Sequence, residues 1–161
     1  MSGEQKSVEE FVKDAEEILE NYAESKGVKT KNIKEDVADR YIEMEQENLR
    51  SLSAQECDEA AFLIAQKSIT IQKEINKQTS INNWAKAILD LKVAKHAQQY
   101  QGSFLQKEKQ AISDNDGFLK MEKVRRESQM RIDRLSGIPF HLDKLIKILM
   151  DLSQSKRKTS G

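Results

Sequence analysis

The chain has 161 residues, 34% of them charged, with one proline, six glycines and a single cysteine. Cys57 cannot pair within the chain and no run approaches ~18 uncharged apolar residues, which excludes a disulfide framework and a membrane-spanning helix. The net charge is zero, but residues 1–60 hold 8 Lys/Arg against 17 Asp/Glu while residues 61–161 hold 19 against 10, so an acidic first part precedes a basic remainder. An asymmetry of this size points to an anionic partner for the basic part, or to contacts of the acidic part with a basic surface.

So few turn-formers, with no alternating strand pattern, predict an all-α fold. Its expected form is a long central helix with shorter flanking helices and a C-terminal amphipathic oligomerisation helix. The start, MSGEQKSVEE, has neither the basic n-region nor the apolar core of a secretory signal, so the expected location is cytoplasmic.

Ser7-Val8-Glu9-Glu10 reads as a capping box. Phe11, Ala15, Ile18, Leu19 and Tyr22 follow at helical spacing up to the Lys26-Gly27 stop, which predicts a first helix over 8–25. Asn32 with Glu35 can cap a second helix to about Arg50, on a thin stripe of Val37, Tyr41 and Met44. Residues 1–50 thus form an acidic helical extension, of a kind that can order on a partner.

Ser53-Ala54-Gln55-Glu56 is another capping box, and no glycine or proline follows until Gly102. Cys57, Ala61, Ile64, Ser68, Ile71 and Ile75 alternate spacings of four and three, the seam of a packed helix. From Ile81 the apolar stripe restarts as Trp84, Ile88 and Leu91, out of step, so a stutter, kink or short break is expected near Gln78-Thr79-Ser80. After Gly102 come a short helix over Phe104–Ile112 and the turn Ser113-Asp114-Asn115-Asp116-Gly117. A further helix over about Phe118–Leu135 turns Val124, Ile132 and Leu135 inward and leaves Arg125, Arg126, Arg131 and Arg134 outside. Pro139 opens the last helix, where Phe140, Leu142, Leu145, Ile146, Leu149 and Leu152 cover more than a narrow stripe. A small helical protein has little core to cover so wide a face, and self-association is the expected resolution. Residues 51–152 form the helical core, and 153–161 are expected to be a basic disordered tail.

The six scattered glycines build no phosphate loop, and His96 and His141 have no Cys or His at metal-ligand spacing, so no metal or other cofactor is expected. Asp114-Asn115-Asp116-Gly117 lacks the closing glutamate of a calcium loop and reads as a turn. Cys57 and His96 lie too far apart along one helix for a nucleophile and its base. No catalytic constellation is present, which leaves binding. Cations on a helix neutralise phosphates without reading sequence, and aromatic faces stack bases, so Lys86, Lys92, Lys95, His96 and Tyr100 are candidates for tracking a single strand. The competing reading makes Trp84 core and the lysines solvated.

The segment DEAAFLIAQKSITIQKEINKQTSINNWAKAILDLKVAKHAQQYQGS, followed by AISDNDGFLK and a basic amphipathic end, resembles the UvsY-like recombination mediators of T-even bacteriophages over about residues 50–152. The shared features are an acidic, alanine-rich start, a long lysine-rich helix closing on Tyr-x-Gly, a turn ending in Leu-Lys and a C-terminal amphipathic helix. The resemblance implies a phage-encoded, non-enzymatic protein of the bacterial cytoplasm. It would form a ring-like hexamer or heptamer, bind single-stranded DNA and help load the phage recombinase onto strands coated with single-strand-binding protein. The family's Lys-Ala-Arg element before the tyrosine falls on Ala94-Lys95-His96, where His96 replaces an arginine with a side chain mostly neutral near pH 7. Lys92 stands close enough to compensate, and Arg125 and Arg126 add candidate cations. The family's oligomerisation helix corresponds to Pro139 through Leu152. The rival readings are a coiled-coil scaffold or adaptor that uses the Cys57–Ile75 seam to pair with another helix, and a DNA mimic built from the acidic residues 1–50.

Overall fold

A computed structural model describes residues 37–161 together with Glu10, Lys13, Asp14 and Glu17, which are helical. The rest of the expected first helix and the Asn32 cap of the second lie outside the described residues. Among those described, all regular structure is helical: α1 (Val37–Ile42), α2 (Gln46–Ser51), α3 (Ala54–Ala97), α4 (Phe104–Ser113), α5 (Asp116–Leu135) and α6 (Ile138–Thr159).

The expected helix to Arg50 is two helices. The Met44 amide reaches back only three residues, to the Tyr41 carbonyl at 3.4 Å, and Glu45 is extended at φ −63° and ψ 152°. Asp39, Glu43 and Glu47 fall at i, i+4 spacing, and like charges so placed oppose a continuous helix.

α3 starts as expected. The Glu56 amide donates to Ser53 Oγ at 3.1 Å and the Ser53 amide donates to Glu56 Oε2 at 2.7 Å, which completes the capping box. Beyond Ile75 the structure overturns the expected stutter. Cys57, Ala61, Ile64, Ser68, Ile71, Ile75, Gln78, Asn82, Ala85 and Leu89 are all buried, so a four-three alternation passes through Gln78 and Asn82 without a break, and Ile81, where the stripe was expected to restart, is buried beside it. Thr79 Oγ1 donates to the Ile75 carbonyl at 2.8 Å and Ser80 Oγ to the Asn76 carbonyl at 3.0 Å, so the polar stretch satisfies itself inside the helix. Leu91, expected on the apolar stripe, is 65% exposed.

The chain divides into two compact units. One contains residues 75–133 and the other, among the described residues, contains 37–74 and 134–161; α3 starts in the second and ends in the first. In the first unit Ala85, Leu89 and Val93 of α3 are buried with Ala111 of α4 and Phe118 and Met121 of α5. Trp84, Ile88, Tyr100, Ile112 and Val124 pack around them. Each large apolar side chain so covered contributes roughly 1.5–3 kcal/mol. Asn82 Nδ2 donates to the Arg125 carbonyl at 2.9 Å and to Ser128 Oγ at 3.3 Å, which ties α3 to α5 through a buried polar contact. Of the expected inward set, Val124, Ile132 and Leu135 are half-buried, while Phe118, Met121 and Ser128 are the buried residues of α5.

In the second unit Ala38, Leu49, Leu142, Leu149 and Ser153 are buried along with the first part of the α3 seam. Lys67 pairs with Asp39, and Arg157 with Asp58. Lys156 Nζ donates to the Arg50 carbonyl at 2.6 Å and to that of Leu52. These contacts occupy residues 156 and 157, and α6 continues to Thr159 where a disordered tail after Leu152 was expected.

Gly102 joins α3 to α4 at φ +120°, a region that disfavours any side chain. Ser103 and Gln106 form a second capping box there, and a Cβ on Gly102 would meet Gln106 Oε1 at 2.7 Å. Gly102→Ala is therefore expected to cost about 1–2 kcal/mol, through backbone strain and loss of the cap. Thermal unfolding followed by circular dichroism should show a melting temperature lower by roughly 2–8 °C; an unchanged one would contradict this account.

Candidate nucleic-acid interface

Lys86, Lys92, Lys95 and His96 are exposed on the last turns of α3. At about 100° per residue, Lys86 and Lys95 point about 180° apart, whereas Lys92 and Lys95 are neighbours three residues apart. The candidate set is therefore not a single track. Lys92 and Lys95 form one cationic edge, and Lys86 faces a different groove of about 190 Å³ that it shares with Asp90, Glu108, Glu122 and Arg125.

The two candidate aromatic groups are held by the unit's own residues. The His96 ring meets Phe118 edge to face with centroids 5.2 Å apart. Tyr100 is half-buried beside the core, and interaction with the Asp114 carboxylate, helped by burial, raises its pKa above the ordinary phenol value. Neither is splayed out as a free stacking platform. Trp84 packs against the core.

Arg125 and Arg126 share one carboxylate. Arg125 Nε and Nη2 donate to Glu122 Oε2 and Oε1 at 2.9 and 2.7 Å, a bidentate pair, and Arg126 Nε donates to Oε1 at 3.0 Å. The hydrogen bonds from Arg125, then burial opposed by those from Arg126, set the balance that holds the Glu122 carboxyl below its ordinary value. Arg125 is thus bound up inside the unit, while the Arg126 side chain remains 73% exposed.

α5 also carries three cations outside the candidate set, Lys120, Lys123 and Arg131, on the same side as Arg126. Lys120, Lys123, Arg126 and Arg131 are all exposed and fall within an arc of about 140° on the helix surface. Lys123 has only a loose pairing with Glu127 at 3.9 Å, and Lys120 and Arg131 make no ion pair among the described residues. The signal is legible in the sequence as spacings of three, three and five along one helix.

The expected oligomerisation set separates by burial. Leu142 and Leu149 belong to the core of their own unit, Leu145, Ile146 and Leu152 are half-buried, and Phe140 is 60% exposed with Lys144 Nζ 4.4 Å above its ring. Ile148 and Met150 of the same helix are also exposed.

The Asp114–Gly117 stretch is a helix junction. Asn115 Oδ1 accepts from the Phe118 amide at 3.2 Å, and α5 already begins at Asp116. Among the described residues no group of three or more His, Cys, Asp or Glu is placed to hold a metal ion, and no helix is long and apolar enough to cross a membrane. No protein-family model matches the chain, and no curated protein or solved structure matches it.

Because the folded pKa of Glu122 lies below its ordinary value, its contribution to stability is fully present above that value, 4.5, and is lost as pH falls through the lowered one. Denaturant unfolding across this acid range should show wild-type stability falling more steeply than that of Glu122→Gln. Parallel curves for the two proteins would refute the role assigned to this carboxylate.

Proposed function

We propose that the chain is a non-enzymatic mediator of DNA recombination that binds single-stranded DNA through phosphate contacts, assembles with copies of itself, and helps a recombinase onto strands coated with single-strand-binding protein. The observation that carries the reading is the pair of exposed cationic surfaces in one unit: Lys92 and Lys95 at the end of α3, and Lys120, Lys123, Arg126 and Arg131 along α5. Such surfaces give affinity without sequence readout, which suits a protein that acts on any strand. The mediator role, the recombinase and the coated strand rest on the resemblance of residues 50–152 to the phage mediators. Self-association rests on the apolar side chains that α6 leaves exposed, Phe140, Ile148 and Met150.

The scaffold reading has less support. It requires the Cys57–Ile75 seam to be open to a second helix, and within this chain those six positions are already buried.

Fluorescence anisotropy with labelled oligo-dT tests the DNA contact. Binding should weaken steeply between about 50 and about 200 mM salt and resist duplex competitor, and Lys92→Ala with Lys95→Ala should lower the slope of log K against log salt by about 1.4. Salt-independent binding, or none at the lower salt, would end the DNA reading. Phe140→Asp with Ile148→Asp should shift the protein toward monomer in sedimentation velocity, because both side chains are exposed and their loss leaves the core intact. An unchanged sedimentation coefficient would remove α6 from the assembly contact.

A further inference from the structure

Resting on that DNA-binding reading, we infer that the groove between α4 and α5 seats one nucleotide of the bound strand, with its phosphate on Lys109, Lys123 and Arg126 and its base against Ile112 and Leu119. The groove encloses about 420 Å³, within the ~300–1,000 Å³ typical of small-ligand clefts. Its rim is cationic from both sides: Lys109 comes from α4, Lys123 and Arg126 from α5, and all three are exposed. Its floor is aliphatic. Ile112 is half-buried and Leu119 is 44% exposed, an apolar surface left open between two rows of charge.

The two carboxylates in the lining do not oppose an anion equally. Glu122 is engaged by Arg125 and Arg126 at 2.7–3.0 Å, so its charge is compensated before any ligand arrives. That engagement uses the Nε of Arg126, and its terminal nitrogens make no hydrogen bond among the described residues, on a side chain that is mostly exposed. Glu127 is held only by Lys123, at 3.9 Å on the surface, a contact that a phosphate oxygen can replace at small cost.

A nucleotide supplies both halves of what the groove offers, an anionic oxygen for the rim and a flat apolar face for the floor or the Arg126 plane. The aliphatic floor carries no hydrogen-bonding groups, and the hydroxyl in the lining, on Ser113, already donates to the Gln110 carbonyl at 3.0 Å, so the seat has little with which to read a base edge and tolerates every base. It also discriminates between strand states. Phosphate neutralisation serves single strands and duplexes alike, but only an unstacked base can enter the groove, so this seat gives the surface a preference for single strands that its charges alone cannot.

The test uses the full chain and oligo-dT carrying one 4-thiothymidine for photocrosslinking. Lys109→Ala, Lys123→Ala and Arg126→Ala combined should lower the salt slope by about 2, three cations at about 0.7 each, with the helical circular dichroism signal unchanged. Leu119→Gln should leave the slope intact but reduce the preference for oligo-dT over duplex several-fold and diminish crosslinking to residues 104–126. A triple variant that binds like wild type, or crosslinks confined to the end of α3, would overturn the groove while leaving the DNA reading in place. Loss of binding to a labelled polyglutamate peptide in the triple variant, with oligo-dT binding retained, would assign the groove to acidic protein segments and overturn the proposal. Absence of oligo-dT binding by the wild-type protein would remove both the reading and the groove's role in it.

Discussion

A helix of 44 residues keeps its form in water because one side of it is covered along most of its length, and in α3 that side follows the four-three rhythm from Cys57 to Leu89. What makes this more than an apolar stripe is that Gln78 and Asn82 occupy seam positions. A buried amide without partners is costly, so the Asn82 side chain constrains whatever packs on it. Its donors reach the Arg125 carbonyl and Ser128 Oγ, and sliding α5 by one turn would strand them. The polar contact therefore selects one register of α5 on α3 from several that apolar packing alone would accept. That register in turn places Glu122 and Arg125 beside Lys86 and Asp90, and sets which face of α5 meets solvent.

The basic excess of residues 61–161 overstates the charge open to a ligand. Lys67 and Arg157 form ion pairs inside their unit, Lys156 holds the carbonyls at the end of α2, and Arg125 is closed onto Glu122. These cations stabilise the fold, and their fields are largely cancelled a short distance away. The cations that remain exposed include Lys92 and Lys95 at the end of α3 and Lys120, Lys123, Arg126 and Arg131 along α5 in one unit, and Lys144, Lys147 and Lys158 on α6 in the other. A charge count along the chain cannot make this distinction, because it depends on which lysine or arginine has a carboxylate within reach after folding.

The parts of the fold legible in the sequence were those fixed by neighbours a few residues apart. The Ser53-Glu56 capping box, the seam to Ile75 and the role of Pro139 at the start of α6 all belong to this class, and the spacing of Glu122 from Arg125 and Arg126 is of the same local kind. The continuation of the seam was not legible in the same way. Counting apolar residues alone finds Ile81, which is buried, and Trp84 and Ile88, which pack on the core, but it adds the exposed Leu91 and misses Asn82, because nothing local reveals that Asn82 is buried against partners 43 and 46 residues away. The same limit applies to α6. Its broad apolar face was visible, but Leu142 and Leu149 serve the core while Phe140, Ile148 and Met150 stay outside, and only tertiary packing divides them. Lys156 and Arg157 read as a solvated basic tail until their acceptors, about 100 residues earlier in the chain, were in place.

Under the proposed function, weak individual contacts are an advantage. A protomer that contributes a few phosphate contacts holds a strand loosely at physiological salt, and its affinity is almost wholly electrostatic. Several copies joined through α6 would present the same few cations repeatedly to one flexible polymer, and each contact after the first is then made at a high effective concentration. Affinity of this kind is strong in sum yet labile at every point, so a recombinase can displace the strand from one protomer at a time. A single deep site of equal total affinity would have to release the strand in one step, which is slow by the same factor that makes it tight.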